Sequence, residues 1–349
     1  MGLMGRRVLV TGADTFWGGR VIQALEEEPT IDVILGLGEH DPSVPFERAE
    51  FVRADQTYSI LHRLVRATAV DTIIHTFLVS DSTTVSSRAL HEINVIGTMN
   101  LLAAAGAEGS KVSSLVVKSS TKIYGANERD PYFFTEENRR STSAHTMVER
   151  SLIEAESLID DFAQDHPEIA VATLRFANVL GGGLRTPITR NLSRPLCPTL
   201  LGFDPQLQFV EATDVVRSLE HAVKRDLRGT YNVAGRGRIP WSEVVKLAGA
   251  RPLPIPAVHH KLLMRPFQAA GIYEMPDELA DLLRFGRGVD TSKIEATGFR
   301  YRATSAGAVQ SFTEQLRLDR SAGRSPTTYR YEHDVEQFFR HSPAVVDRR

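Results

Sequence analysis

The sequence RVLVTGADTFWG, residues 7–18, decides the fold of this chain. Residues 8–11 are apolar or β-branched, which is typical of a buried strand, and Gly12 ends the run. Residues 18–27 follow with three aliphatic side chains on one helical stripe. A strand, a glycine turn and a helix can hold a dinucleotide pyrophosphate at the helix N-terminus. This stretch therefore predicts a nucleotide site.

Strands and helices continue to alternate beyond this unit. Apolar patterns predict strands over 31–37, 51–52, 71–75, 115–118 and 169–174, and helices over 60–67, 90–107 and 147–162. Alternation at this spacing is typical of a parallel sheet with helices on both faces. The predicted fold is α/β, a Rossmann doubly wound parallel sheet with a smaller C-terminal substrate-binding lid.

Glycine and proline punctuation suggests where the two parts separate. The pattern predicts a nucleotide-binding domain over 1–177, to which residues 209–235 return. Residues 178–208 and 236–315 are predicted to form the lid, because strict alternation is lost there. Residues 316–349 are predicted to be a C-terminal tail that docks on the surface or frays.

Composition excludes several classes of protein. The 349 residues are 42% hydrophobic and 24% charged, with a net charge of −2, which argues against a nucleic-acid binder. Cys197 is the one cysteine, so no internal disulfide and no zinc motif is expected, and no metal is predicted. No apolar run reaches the roughly 20 residues of a membrane helix. The expected compartment is the cytoplasm.

The predicted cofactor site begins with the glycine turn. Its residues are Gly12, Thr15, Phe16, Trp17 and Gly18, with Thr15 in the middle position. An acidic residue about 20 positions beyond the turn would hold the ribose hydroxyls, and Glu39 lies 21 residues after Gly18. Its carboxylate would disfavour a 2′-phosphate, so NAD is preferred over NADP. A positive φ at Thr15 would cost about 1–3 kcal/mol and weaken cofactor binding.

Further motifs occur in a fixed order. They are NVIGTMNLL at 94–102, SSTKIYG at 119–125, LRFANVLG at 174–181, GTYNV at 229–233 and DTSKI at 290–294. Together with residues 11–18, Asp55 and His75, they span about residues 6–315. In these motifs the chain resembles the NAD-dependent epimerase/dehydratase family, the extended short-chain dehydrogenases typified by UDP-glucose 4-epimerase.

The resemblance implies roles for residues outside the turn. Asp55 would lie near the adenine, Asn94 in the helix that supports the active site, and Asn178 near the diphosphate of a sugar nucleotide. The remaining predicted cofactor residues are His75, Thr76, Phe77 and Lys118. Asp55 and His75 follow strands directly, where ligands bind in such sheets. Arg175 and Arg185 are predicted to clamp the diphosphate.

The catalytic pattern is incomplete. The resemblance implies hydride transfer, with a proton moved by a tyrosine whose pKa is lowered by a lysine four residues on, and with a serine or threonine bound to the reacting oxygen. Ser120, five residues before Gly125, matches the serine position. None of the eight tyrosines has a lysine four residues later. The chain therefore lacks the Tyr/Lys pair.

The helix over 147–162 can be aligned with the family pattern in two ways. Each alignment places different residues at the positions of the Tyr/Lys pair. One places Ser141 at the tyrosine position and His145 at the lysine position, and a shift of one turn pairs Thr146 with Arg150. In the first alignment His145 would take the proton, four residues from Ser141 on one helical face. Lys122 beside Ser120 is the other predicted catalytic cation; the competing interpretation is a surface lysine.

Two functions follow as hypotheses. The first is an NAD-dependent epimerase, dehydratase or reductase that acts on a nucleotide sugar or similar polar substrate, with Ser120, Ser141, His145 and Lys122 at a degenerate site. The second is an inactive protein that keeps NAD as a sensory or structural ligand. The expected partner is a small-molecule substrate, with no nucleic acid and no membrane. The family resemblance suggests a homodimer through the helices at 90–107 and 147–162.

Overall fold

The computed structural model describes residues 5–257, 267, 273–322 and 342–346. Its strands are β1 (Arg6–Thr11), β2 (Ile31–Gly38), β3 (Glu50–Arg53), β4 (Thr72–His75), β5 (Ser114–Ser120), β6 (Ala170–Phe176), β7 (Asn178–Leu180), β8 (Leu196–Leu200), β9 (Gln206–Leu207), β10 (Phe209–Glu211), β11 (Gly229–Val233), β12 (Ile239–Pro240) and β13 (Arg251–Ile255). Its helices are α1 (Phe16–Glu26), α2 (Tyr58–Thr68), α3 (Ser87–His91), α4 (Thr98–Ala105), α5 (Met147–Asp165), α6 (Pro187–Leu192), α7 (Ala212–Lys224), α8 (Trp241–Leu247), α9 (Asp277–Phe285), α10 (Ser292–Ala296) and α11 (Ser305–Ala322).

Seven parallel strands form the central sheet, in the order β11-β6-β5-β4-β1-β2-β3. Every residue of β5 and β6 is buried, as expected for strands covered on both faces. One core lies between the sheet and α2, α4 and α5, and a second lies between the sheet and α1 and α7. The predicted α/β doubly wound parallel sheet is confirmed. The carboxyl ends of β1, β4, β5 and β6 lie at one edge, where ligands bind in this architecture.

A third core holds the smaller part of the molecule together. It contains apolar side chains of β7, β8, β10, α6, α8, α9 and α11. The pairs β7–β10 and β8–β13 are parallel, and β9–β12 is antiparallel. This part, called the lid below, packs over the carboxyl edge of the sheet. Between β10 and the rest of the lid, α7 and β11 return to the sheet, where β11 pairs with β6.

Several sequence boundaries differ from the structure. The predicted helix over 90–107 is α3, a π-helical turn over Glu92–Gly97, and α4. The predicted lid end at 315 falls inside α11, because that helix runs on to Ala322. Residues 342–346 dock beside α2, where the Val346 amide donates to the Ala67 carbonyl at 2.7 Å. In the described part of the chain, no helix is long and apolar enough to cross a membrane.

Candidate nucleotide and substrate site

The turn between β1 and α1 needs both of its glycines. Gly12 has a φ of +73°, and a Cβ there would lie 3.2 Å from the Thr76 hydroxyl and from the Phe77 Cα. A Cβ at Gly18 would lie 2.1 Å from the Gly12 carbonyl oxygen. Side chains at either position would therefore push α1 away from the strand or fill the space above the turn. The turn leaves open backbone at the N-terminus of α1, where a phosphate binds.

Thr15 replaces a glycine in the turn without strain. Its φ is −79° and its ψ is 164°, so the left-handed conformation considered from the sequence does not occur. The hydroxyl donates to the Gly12 carbonyl at 2.7 Å and accepts from the Gly18 amide at 3.2 Å. Thr15 is thus the N-cap of α1. Phe16 and Trp17 form the first turn, where backbone amides have no partner within the helix.

Asp14 is a site residue that the sequence reasoning missed. Its Oδ2 accepts hydrogen bonds from the amides of Glu39 at 3.1 Å and His40 at 3.0 Å, just beyond β2. Its Oδ1 is buried and has no hydrogen-bond partner among the described residues. Glu39 itself is exposed. Asp14 therefore fixes the backbone just beyond β2, where a ribose would bind, and an acidic residue inside the glycine turn was the available signal.

The predicted residues after β3 and β4 have different surroundings. Asp55 is exposed beyond β3, where it accepts the Thr57 hydroxyl at 3.0 Å. His75 is completely buried; its Nδ1 lies 2.7 Å from the Thr11 hydroxyl and its Nε2 lies 3.2 Å from the Thr98 hydroxyl. Burial, together with the Lys118 charge, lowers the pKa of His75 to about 3. The His75 side chain therefore joins β1, β4 and α4 and does not face a ligand.

Thr76, Phe77 and Asn94 shape the loop after β4. The Thr76 hydroxyl donates to the Thr11 carbonyl at 2.8 Å. Phe77 lies beside Gly12, as noted above. The Asn94 amide both accepts from and donates to the backbone of Val79, at 2.7 and 2.9 Å. Asn94 thus holds the loop from the neighbouring helix, which is a supporting position.

A cavity of about 90 Å³ lies between the carboxyl ends of β5 and β6 and the lid. From the sheet side it is lined by Trp17, Lys118, Ser120, Lys122, Phe176 and Asn178, and from the lid by Pro187, Ile188, Glu278, Leu279 and Arg287. Five residues predicted for the site, Trp17, Lys118, Ser120, Lys122 and Asn178, thus come together here. The cavity is smaller than the few hundred Å³ of an ordinary ligand pocket.

Ser120 and Lys122 occupy the floor of this cavity. Ser120 is 8% exposed, and its hydroxyl accepts from the Lys122 amide at 3.2 Å. The Lys122 ammonium donates to the Ser80 carbonyl and lies 3.9 Å from the Glu278 carboxylate of α9. Burial lowers the pKa of Lys122, and the charges of Glu278 and Asp81 oppose that effect. Lys122 is therefore part of the contact between sheet and lid.

Ser141 and His145 lie outside the cavity. Residues 141–146 form a loop, and α5 begins at Met147 with Thr146 as its N-cap in a capping box with Glu149. The placement of Ser141 and His145 on one helical face is therefore wrong. The exposed Ser141 hydroxyl donates to Asp130 at 2.7 Å. His145 is also exposed, and its Nε2 lies 2.9 Å from the Asp281 carboxylate of α9.

The two predicted arginine clamps also lie elsewhere. Arg175 is buried and forms an ion pair with Glu156 at 2.6 Å, and it donates to the Tyr124 hydroxyl at 2.8 Å. Burial opposes the charge, but the Glu156 carboxylate prevails and raises the pKa of Arg175. Arg185 is exposed on the loop before α6 and lines a separate, open groove beside α1 and α7. Neither guanidinium reaches the cavity.

Two charged lid residues that sequence reasoning did not find line the cavity. Glu278 is 7% exposed and accepts the Ser82 hydroxyl. Arg287 is 8% exposed and donates to the Gly125 carbonyl at 2.8 Å. Burial lowers the pKa of Arg287 to about 10. No local pattern marks either residue, because only the docking of the lid brings them to the sheet. No group of histidine, cysteine, aspartate and glutamate suited to a metal occurs in the described ranges.

Solved structures share this architecture. The fold is similar to dTDP-glucose 4,6-dehydratase from Bacillus anthracis, solved with NAD, with a TM-score of 0.69 at 16% identity over 91% of this chain and 98% of that one. It is similar to UDP-N-acetylglucosamine 4-epimerase from Bacillus cereus, with a TM-score of 0.66 at 18% identity over 90% of this chain and 100% of the other. At these identities the likeness shows the fold alone.

Sequence comparisons identify closer relatives and a family. Uncharacterized proteins from Mycobacterium tuberculosis and Mycobacterium bovis are 31% identical over 311 residues, which cover 87% of this chain and 82% of theirs. A family model described as the NAD dependent epimerase/dehydratase family matches residues 8–234. That range contains the glycine turn, Ser120 and the sheet edge described above. The chain belongs to the NAD-dependent epimerase/dehydratase family.

Proposed function

We propose that this chain binds NAD and uses it to oxidise and reduce a carbon of a nucleotide sugar or a similar polar substrate. The observation that carries the proposal is the position of Trp17. It belongs to the first turn of α1, where a pyrophosphate would bind, and it also lines the cavity that contains Ser120. Trp17 therefore borders both the proposed phosphate site and the cavity, and a dinucleotide with one reactive end would run between them.

The residues present fit an NAD molecule. Gly12 and Gly18 leave space that a Cβ would fill, and the amides of Phe16 and Trp17 are positioned for phosphate oxygens. The negative charges of Asp14 and Glu39 at the end of β2 disfavour a 2′-phosphate. NAD would supply the hydride acceptor. Asp55 and Asn178 extend the proposed site toward the adenine and the substrate.

Ser120 is the proposed partner of the reacting oxygen. Its hydroxyl lies in the cavity on the rigid end of β5 and can donate to a substrate carbonyl or alcohol oxygen. A phenol that would take the proton is missing, since no tyrosine lines the cavity in the described ranges. Tyr124 is buried away from it, and burial raises its pKa. The catalytic site is therefore degenerate relative to the Tyr/Lys pattern.

That missing phenol favours a second candidate, a protein that binds NAD as a sensory or structural ligand without turnover. Calorimetry with NAD, followed by chromatographic detection of new sugar products after incubation with UDP-sugars and dTDP-sugars, separates the two. For an enzyme, we expect NAD binding below millimolar Kd, turnover, and a rate about 100-fold lower in Ser120→Ala.

Ser141→Ala is the matched control, because it removes an exposed hydroxyl outside the cavity. We expect its rate to equal that of the wild type. NAD binding without turnover would support the sensor, and no NAD binding at all would leave a scaffold.

A further inference from the structure

Lys118 is a buried charge that the proposed hydride chemistry does not use. It lies on β5 two residues before Ser120, so both side chains leave the same face of the strand. Lys118 is 4% exposed and lines the cavity. Its Nζ lies 5.2 Å from the centroid of the Trp17 ring, which lines the same cavity. The ammonium is therefore held at the point where the phosphate site and the cavity meet.

This ammonium lacks a counter-charge. Among residues 5–257, 267, 273–322 and 342–346, the Lys118 side chain has the Trp17 ring as its contact and neither a hydrogen bond nor an ion pair. Burial and, to a lesser extent, the neighbouring Lys122 charge lower the pKa of Lys118 to about 8. Lys118 is thus mostly protonated at neutral pH. Buried ammonium groups normally pair with an anion, because the unpaired charge is costly.

The charges around the cavity indicate which anion fits. Its described lining includes three cations, Lys118, Lys122 and Arg287, and two anions, Asp81 and Glu278. Glu278 faces Lys122, and Asp81 forms an ion pair with Arg190 of α6 at 3.2 Å. Lys122 and Arg190 are thus matched by carboxylates, whereas Lys118 has no carboxylate partner among the described residues, so the lining favours a negatively charged group beside Lys118.

A carboxylate has this charge and a suitable size. A carboxylate oxygen can accept from the Lys118 ammonium, and the Ser120 hydroxyl, on the same face of β5, stays available for the reacting oxygen. The cavity of about 90 Å³ is large enough to hold a carboxylate.

We infer that Lys118 forms a subsite, beside Ser120, for a carboxylate carried by the substrate close to its reacting carbon. The inference rests on the proposed function for the existence of a substrate and on the cavity alone for the carboxylate. Lys118 binds and orients this group, and Trp17 keeps water from the ammonium. The preferred substrates are therefore acids, such as a nucleotide sugar whose sugar carries a carboxylate.

A matched pair of small probes tests the subsite directly. The chain has seven lysines, so the side-chain signals of isotopically labelled lysine can be followed one by one by NMR. Acetate should shift the Lys118 signal and raise the pKa of its ammonium, whereas acetamide, which has the same shape and no charge, should not. The acetate affinity should fall at least tenfold in Lys118→Met and stay within twofold in Lys111→Met, which changes an exposed lysine before β5.

Three results would overturn the subsite. One is an equal response of Lys118 to acetamide, and another is an unchanged acetate affinity in Lys118→Met. The third is an NAD affinity tenfold weaker in Lys118→Met, because the anion would then be a cofactor phosphate. The midpoint of urea unfolding should not fall in Lys118→Met. If Lys118 had a structural role, its replacement would lower that midpoint. The acetate titration needs neither NAD nor turnover, so it remains decisive if the proposed function fails.

Discussion

The two ends of the ligand cleft contrast sharply. At the phosphate end, the turn between β1 and α1 retains the expected geometry, and even its unusual Thr15 becomes an ordinary N-cap. At the catalytic end, the segment before α5 lacks the tyrosine and lysine, and its substitutes Ser141 and His145 bond outside the cavity. The first end depends on backbone geometry, whereas the second depends on particular side chains. A phosphate site therefore survives substitutions that remove a catalytic pair.

The largest expected effect comes from Gly18→Ala, which alters the turn at the proposed phosphate end. Its Cβ would lie 2.1 Å from the Gly12 carbonyl oxygen, so α1 must shift away from β1. We expect a loss of about 3 kcal/mol in the free energy of unfolding and no measurable NAD binding. Urea unfolding and calorimetry provide the measurements.

Gly307→Ala in α11 serves as the control, because its Cβ would meet ordinary contacts of 3.4 Å and more. We expect it to retain the wild-type NAD affinity. Unchanged NAD binding in Gly18→Ala would break the comparison, since the turn would then not be the phosphate site.

His75 makes the phosphate end sensitive to acid. Its folded pKa is lowered to about 3, below the usual 6.5, so protons bind the unfolded chain more tightly. The free energy of unfolding should therefore fall as pH drops below about 6.5, by up to about 1.4 kcal/mol per pH unit. Urea unfolding at several pH values should show that the free energy of unfolding falls less steeply with decreasing pH in His75→Gln than in the wild type.

His91→Gln is the matched control, because it changes a histidine on α3 whose side chain is 43% exposed. Its acid slope should equal that of the wild type. An equal slope in His75→Gln would show that the buried ring is not the acid-sensitive group.

A smaller effect is expected from Thr15→Val, which removes the N-cap hydroxyl and keeps the shape. The loss of the hydrogen bond to the Gly18 amide should cost about 1 kcal/mol of stability. Thermal unfolding of this variant should be compared with Thr15→Ser, which retains the hydroxyl and should unfold close to the wild-type temperature. Equal losses in both variants would point to packing of the methyl group instead of capping.

The smallest expected effect is that of His145→Gln. Its ion pair with Asp281 is largely exposed, and such pairs contribute less than about 1 kcal/mol. NAD affinity and any turnover should match those of the wild type. A rate as low as that of Ser120→Ala would contradict this expectation. The loop over 141–146 would then have to enter the cavity during the reaction.

Most of the fold was predictable from local patterns. The strand periodicity, the glycine turn and the helix over 147–162 depend on neighbouring residues, and the sheet and α5 occur where these patterns place them. Boundaries were less predictable. The end of α11 at Ala322 and the π-helical turn in residues 92–97 depend on packing that a short window of sequence does not contain.

The site was predictable in part. Ser120 and Asn178 line the cavity as side chains at the edge of the sheet, a position that the strand pattern already implies. The role of Arg175 could not be assigned correctly from the sequence. Its position in β6 does not show that Glu156, a buried residue of α5, binds it. A charged residue at a strand end is equally suited to a ligand and to an internal ion pair until its neighbours are known.

By itself, the sequence determined the parallel sheet, the phosphate turn and the absence of a Tyr/Lys pair, because each depends on short spacings along the chain. The tertiary structure alone decided that Trp17, Lys118 and Arg287 line one cavity. It also decided that Lys118 is buried and forms no ion pair within the part of the chain that the structure describes. The physical reason is that burial and pairing of a charge depend on elements remote in sequence, here the lid packed over the edge of the sheet.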